Sequence, residues 1–174
     1  MYELKRKAVV CLDSNVVIWG FVGEADRNNF DKLEKSRQLI EECSKLGVNA
    51  FIPSIVLAEV VSGCENIDKA AKLYSGITKK FRVAPFDGFA AYHYALLWQR
   101  KKELQRNRNQ NLSGRRDALK ADCMIIATAI ALKAECIFTG NNEVKVFREL
   151  AQAKIQVEAP PGFSRQGELL DFEN

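Results

Sequence analysis

Apolar positions along the chain alternate between short continuous runs and longer amphipathic ones. Ala8-Val9-Val10-Cys11-Leu12 is a short run rich in Val. It predicts a strand buried on both faces, as in a parallel sheet. Further strands are expected at 48–52, 81–84, 135–139 and 155–157. Helical periods fill the gaps. A short helix is expected over 15–21. A longer one runs over 30–46, with Phe30, Leu33, Ile40, Cys43 and Leu46 on one face and Gly47 as its stop. Pro53 and Ser54 open another, which carries Ile55, Val56, Leu57, Glu59 and Val60. More helices are expected over 67–78, over 87 to about 105, over 119–133 and over 143–153. In the helix starting at Asp87, the expected apolar side is Phe89, Tyr92, Ala95, Leu96 and Trp98. Segments 23–29 and 107–114 have loop composition, and Pro160-Pro161-Gly162 closes the fold.

Strands alternating with helices imply a three-layer α/β/α sandwich with a mostly parallel central sheet. Ligands of such sheets bind beyond the carboxyl ends of the strands. Polar residues that directly follow strands are therefore the informative ones. The length of 174 residues is that of one ordinary domain. The expectation is a single domain over 1–174, with a core at about 7–158 and a tail over 159–174. Lys5-Arg6-Lys7 imitates a secretory start, but Asp13-Ser14-Asn15 stops the apolar run after five residues. No stretch approaches the ~20 apolar residues of a membrane span. The expected location is cytoplasmic, with no membrane partner.

The chain has one histidine, His93, which excludes a multi-histidine metal site. Its five cysteines have no CxxC spacing, so buried reduced thiols are expected rather than disulfides or zinc. Four polar positions remain. Asp13 directly follows the first strand; it is a helix cap or a ligand. Asn141 follows the run Ile137-Phe138-Thr139; it is a turn residue or belongs to the same sheet edge. Asp122 opens the apolar run Cys123-Met124-Ile125-Ile126; it answers the helix dipole or needs a partner. Glu59 lies in a helix with almost no polar face, so it snorkels or faces a cation. Three carboxylates and an amide oxygen form a hard-oxygen set that suits Mg²⁺ or Mn²⁺ rather than zinc. Such a site suits metal-assisted attack of water on a phosphodiester.

Four segments carry a resemblance. They are Val9-Val10-Cys11-Leu12-Asp13-Ser14-Asn15-Val16, Pro53-Ser54-Ile55-Val56-Leu57-Ala58-Glu59-Val60, Lys120-Ala121-Asp122-Cys123-Met124-Ile125-Ile126-Ala127-Thr128-Ala129 and Ile137-Phe138-Thr139-Gly140-Asn141. In order and spacing the chain resembles the PIN-domain ribonucleases, most closely the VapC-type toxins of bacterial toxin–antitoxin pairs. The resemblance covers about Lys7 to Val157. It implies that Asp13, Glu59 and Asp122 hold the metal. Asn141 stands where many members have a fourth acid. A neutral amide there leaves the site one charge short, and Glu143 or Asp117 lies close enough in sequence to compensate. Ser14 and Thr139 are accessory candidates that would hydrogen-bond a carboxylate or a bound water. The resemblance also implies an RNA substrate, an antitoxin protein and a homodimer.

Charge sharpens this picture. The whole chain carries +4, yet 100–120 alone carries +6. Its basic residues are Arg100, Lys101, Lys102, Arg106, Arg108, Arg115, Arg116 and Lys120, against Glu103 and Asp117. They are candidates for holding phosphates. Asn107, Asn109, Gln110 and Asn111 suit contacts to single-stranded bases. The stretch from Glu158 to Asn174 carries −3. Two competing readings remain: a non-catalytic PIN-like RNA-binding module, and a PIN nuclease that processes RNA without an antitoxin.

Overall fold

In the computed structural model, the five apolar runs become five parallel strands. The structure describes residues 2–24, 30–108, 116–140, 144–151 and 154–162. The strands are β1 (Val9–Leu12), β2 (Asn49–Pro53), β3 (Arg82–Ala84), β4 (Cys136–Phe138) and β5 (Gln156–Glu158). Their spatial order is β3-β2-β1-β4-β5. β1 is central, with Val10 opposite both Ala50 and Cys136. Val10, Cys11 and Leu12 are fully buried, as a strand covered on both faces requires.

The helices are α1 (Ser14–Val17), α2 (Phe30–Leu46), α3 (Ser54–Ser62), α4 (Ile67–Lys80), α5 (Gly88–Arg108), α6 (Arg116–Ala131) and α7 (Val144–Ala151). A π-helical segment, Ile18–Val22, extends α1. The expected α/β/α architecture with a parallel sheet is the observed one. Gly47 ends α2 with φ +64°, a conformation that favours glycine. Gly20 holds the π segment hard against α2. A Cβ there would lie 2.8 Å from the Ser36 backbone.

Chain order reverses its direction at β1. From β1 the chain moves outward through β2 and β3, then returns to the other side of β1 for β4 and β5. The crevice beyond the carboxyl ends of β1 and β4 is thus the switch point where this class of sheet binds ligands.

Three expectations need correction. Phe30 and Leu46, at the two ends of the expected apolar face of α2, are 70% and 39% exposed, because the helix ends reach past the sheet. Phe89, Tyr92 and Leu96 are 75%, 63% and 39% exposed, so the expected apolar side of α5 faces outward. Ala90 and Leu97 are buried instead, with Tyr94 and Trp98 half-buried. Apolar residues occur all around this helix, so its period does not choose a face. All five cysteines are free, but Cys64 is only half-buried, in the turn after α3. Among the described residues, no helix is long and apolar enough to cross a membrane.

Candidate active site

Asp13 is the residue that follows β1. Its N–H donates to the Phe138 carbonyl at 3.0 Å, so the β1–β4 pairing runs on to the edge of the sheet. Thr139 follows β4 in the same way, its N–H donating to the Glu158 carbonyl at 3.0 Å. Parallel register therefore puts Asp13 and Thr139 side by side, although 126 residues separate them. The Thr139 hydroxyl donates to Asp13 Oδ2 at 2.6 Å. Asp13 Oδ1 accepts from the Ser14 N–H at 2.8 Å, with the Ser14 hydroxyl at 3.4 Å. Asp13 is only 3% exposed and Thr139 is fully buried. A buried carboxylate held by hydrogen bonds on both oxygens is oriented, not merely tolerated.

Glu59 reaches the same place from α3, on the neighbouring side of β1. It is half-buried. Burial raises its carboxyl above the ordinary value, and the charge of Asp13 raises it further. A hydrogen bond from the Ser14 side chain works the other way. Ser14 thus stands between two carboxylates that repel each other. Two like charges sharing one site is an arrangement that a cation relieves.

Asp122 is half-buried on α6, and α6 packs against α3. Among the described residues, no three His, Cys, Asp or Glu side chains stand close enough together to hold a metal ion. The structure brings Asp13, Glu59, Ser14 and Thr139 together, with Asp122 on the helix that packs against α3. Asn141 and Glu143 lie outside the described residues, as does Arg115. The side chains of Lys101, Arg106, Arg108, Arg116 and Asp117 lie outside them too. Lys102 is exposed near the end of α5, and Lys120 is half-buried on α6. Tyr94, which no sequence motif singles out, lies near Lys120. Burial raises the Tyr94 hydroxyl and the charge of Lys120 moderates the rise. Its ring stacks on Trp98 at 5.9 Å, a pairing whose only sequence signal is the four-residue spacing.

A family model described as PIN domain matches residues 10–152. Three solved structures have a similar fold. DNA-bound VapBC from Salmonella typhimurium matches with 20% identity and TM-score 0.61, over 88% of this chain and 99% of that one. VapBC2 from Rickettsia felis, bound to a DNA fragment from the promoter, matches with 18% identity and TM-score 0.60, over 87% and 98%. VapBC-5 from Mycobacterium tuberculosis, a member of the VapBC family of toxin-antitoxin systems, matches with 14% identity and TM-score 0.50, over 87% and 98%. No curated protein matches the chain.

Proposed function

The chain belongs to the PIN domain family, and from that premise we propose that it is a Mg²⁺- or Mn²⁺-dependent endoribonuclease, the toxin of a toxin–antitoxin pair. The observation that carries the proposal is Asp13. It is a buried, doubly hydrogen-bonded carboxylate at the switch point, with Glu59 crowded against it. The donor set fits a hard divalent cation, because all the candidate ligands are oxygens and the two acids repel each other without one. Asp13, Glu59 and Asp122 would hold it, with Asn141 assisting. Bound there, it would supply Lewis acidity toward the phosphodiester and lower the pKa of the attacking water.

The protein's own part is positioning. Thr139 fixes one oxygen of Asp13 and Ser14 the other, so the carboxylate keeps one orientation. Glu143 is the accessory acid nearest Asn141 in sequence. Lys101, Lys102, Arg106, Arg108, Arg115, Arg116 and Lys120 would hold backbone phosphates on either side of the cut. The single domain spans 1–174 and acts in the cytoplasm, with an antitoxin protein blocking the site.

The test incubates the purified protein with single-stranded and structured RNA, with Mg²⁺ and with chelator. Cleavage that stops in chelator and in Asp13→Asn and Asp122→Asn supports the proposal. Cleavage that survives either substitution overturns the mechanism. Calorimetric titration with Mg²⁺ and Mn²⁺ decides the competing reading: RNA binding without metal binding is the signature of a non-catalytic module. A small neighbouring reading frame for a DNA-binding protein would support the antitoxin.

A further inference from the structure

Between α5, the end of α6 and the start of β5 lies a cavity of about 230 Å³ that the nuclease reading does not use. His93, Leu96, Leu97 and Arg100 line it from α5, Ile130 from α6, and Lys154 from the bend before β5. The four α5 residues share one helical face, at steps of three, four and seven from His93. Leu97 is buried and Ile130 half-buried, so the floor is apolar. Arg100 and Lys154 are exposed and His93 is half-buried, so the rim is basic. Among the described residues that line the cavity, none is acidic. Ile130 lies near the end of α6, ahead of β4, and Lys154 stands two residues before β5. The cavity is therefore at the amino ends of the strands, the opposite edge of the sheet from Asp13.

We propose that this cavity binds a nucleoside monophosphate, with the base on the apolar floor against the His93 imidazole and the phosphate between Arg100 and Lys154. A floor of leucine and isoleucine with a few polar groups at its rim is the general make-up of a small-molecule site. The imidazole offers a base a face to stack on. Tyr92 steadies it, its ring edge-on to His93 at 5.8 Å. The guanidinium and the ammonium answer the charge. A phosphate monoester carries about −1.5 to −2 near pH 7, which two cations match and a single carboxylate does not. Arginine also presents its donors as a planar fork that fits phosphate oxygens in pairs. Arg100 stands seven residues beyond His93, about 10 Å along the helix, so base and phosphate are held apart as they are in one nucleotide.

The volume limits the ligand. It falls below the roughly 300–1,000 Å³ of drug-sized sites, which suits one nucleotide and not a dinucleotide. A bare phosphate would leave the apolar floor uncovered, and a nucleoside would leave the basic rim unanswered. The same chemical group reaches the cavity from two sources, as a free mononucleotide or as the 5′-terminal nucleotide of an RNA strand. The inference stands on the cavity and not on the nuclease reading, because neither Asp13 nor Glu59 borders it.

The test is isothermal titration of the full chain in chelator, which keeps any metal-held phosphate at Asp13 out of the signal. The probes are AMP, GMP, CMP and UMP, with adenosine, inorganic phosphate and benzoate as partial ligands. At least one nucleotide should bind one site per chain, about tenfold or more tighter than every partial ligand. Arg100→Gln and Lys154→Gln should each weaken it about tenfold, as loss of a charge-assisted hydrogen bond does. His93→Ala should weaken it several-fold by removing the stacking face. Lys69→Gln takes the same charge from α4 and should change nothing. Circular dichroism checks that each variant is folded. No binding by any nucleotide overturns the proposal. So does a partial ligand that binds as tightly, or binding that survives Arg100→Gln combined with Lys154→Gln. The sources separate by competition with an RNA tetramer. Displacement of the bound nucleotide by the 5′-phosphorylated tetramer and not by its 5′-hydroxyl form assigns the RNA end. No displacement by either assigns the free mononucleotide. Equal displacement by both overturns the role given to the phosphate.

Discussion

At the carboxyl edge of β1 and β4, a charged group is buried. Along the outer face of α5, aromatic rings meet solvent. Both regions reverse the usual partition of polar and apolar side chains, and both are conspicuous for that reason. They tolerate the reversal differently. Asp13 is stabilised within the fold, by Ser14, by Thr139 and by the strand register that delivers Thr139. The exposed rings of α5, Phe89 and Tyr92, have no such burial within the fold. A buried charge has to be satisfied for the chain to fold, whereas an exposed ring can wait for a partner. Changes at the first region should therefore alter activity and stability together, and changes at the second should leave the stability of the single chain nearly unchanged.

The largest expected effect is on catalysis. Asp13→Asn should lower RNA cleavage by roughly a hundredfold or more, beyond the ~10–100-fold that losing an outer-shell partner of a metal site costs. Initial rates at saturating Mg²⁺ measure this. The same substitution should move the Glu59 carboxyl back toward its ordinary value, because Asp13 is one of the two causes of its rise. Carboxyl NMR would detect the return.

Next comes Thr139→Val, which keeps the shape and removes the donor to Asp13 Oδ2. It should cost about 1–3 kcal/mol of unfolding free energy, read from denaturant midpoints. Gly20→Ala should destabilise by a similar ~1–3 kcal/mol, since the added methyl overlaps the Ser36 backbone. It touches neither region, so cleavage per folded molecule should not change.

Glu59→Gln sharpens the comparison through pH. The Glu59 carboxyl is raised in the folded state. Its ionised form therefore costs stability, fully so above the folded pKa. The cost fades as pH falls toward the unfolded value of 4.5. In chelator, Glu59→Gln should melt slightly higher than the wild type at neutral pH. The advantage should vanish near pH 4. The smallest effect belongs to Tyr92→Ser measured in dilute solution. Its stability should stay within about 0.5 kcal/mol of the wild type. A large loss would mean that the exposed rings of α5 support the fold of the single chain.

Much of this was legible in advance. All five strands fall at or within a residue or two of the expected segments, and β1 and β4 stand out most because a strand covered on both faces has no polar side to disguise it. Asp13 was visible because it directly follows a strand and Ser14 because it adjoins Asp13, whereas Thr139 stood at the end of the expected strand 135–139 as an accessory candidate. Glu59 was visible because a carboxylate stands out in an apolar helix. The side of α5 that faces inward was not legible, since apolar residues surround that helix and only α6 packing against it selects Tyr94, Leu97 and Trp98. That α6, which carries Asp122, packs against α3, which carries Glu59, was not legible either. The two helices are separate in sequence, and their relative placement is a matter of packing.

The sequence by itself determined which side chains are candidates. A single histidine and carboxylates standing out among apolar runs make hard-oxygen metal chemistry the one proposed for them. It also determined the layers, because local periodicity is a short-range property. Only the tertiary structure decided which polar groups meet. Asp13 and Thr139 become partners through the parallel register of β1 against β4, and Glu59 joins them because α3 starts at the same sheet edge. Contacts between residues far apart in sequence depend on how elements pack, and no local pattern encodes that.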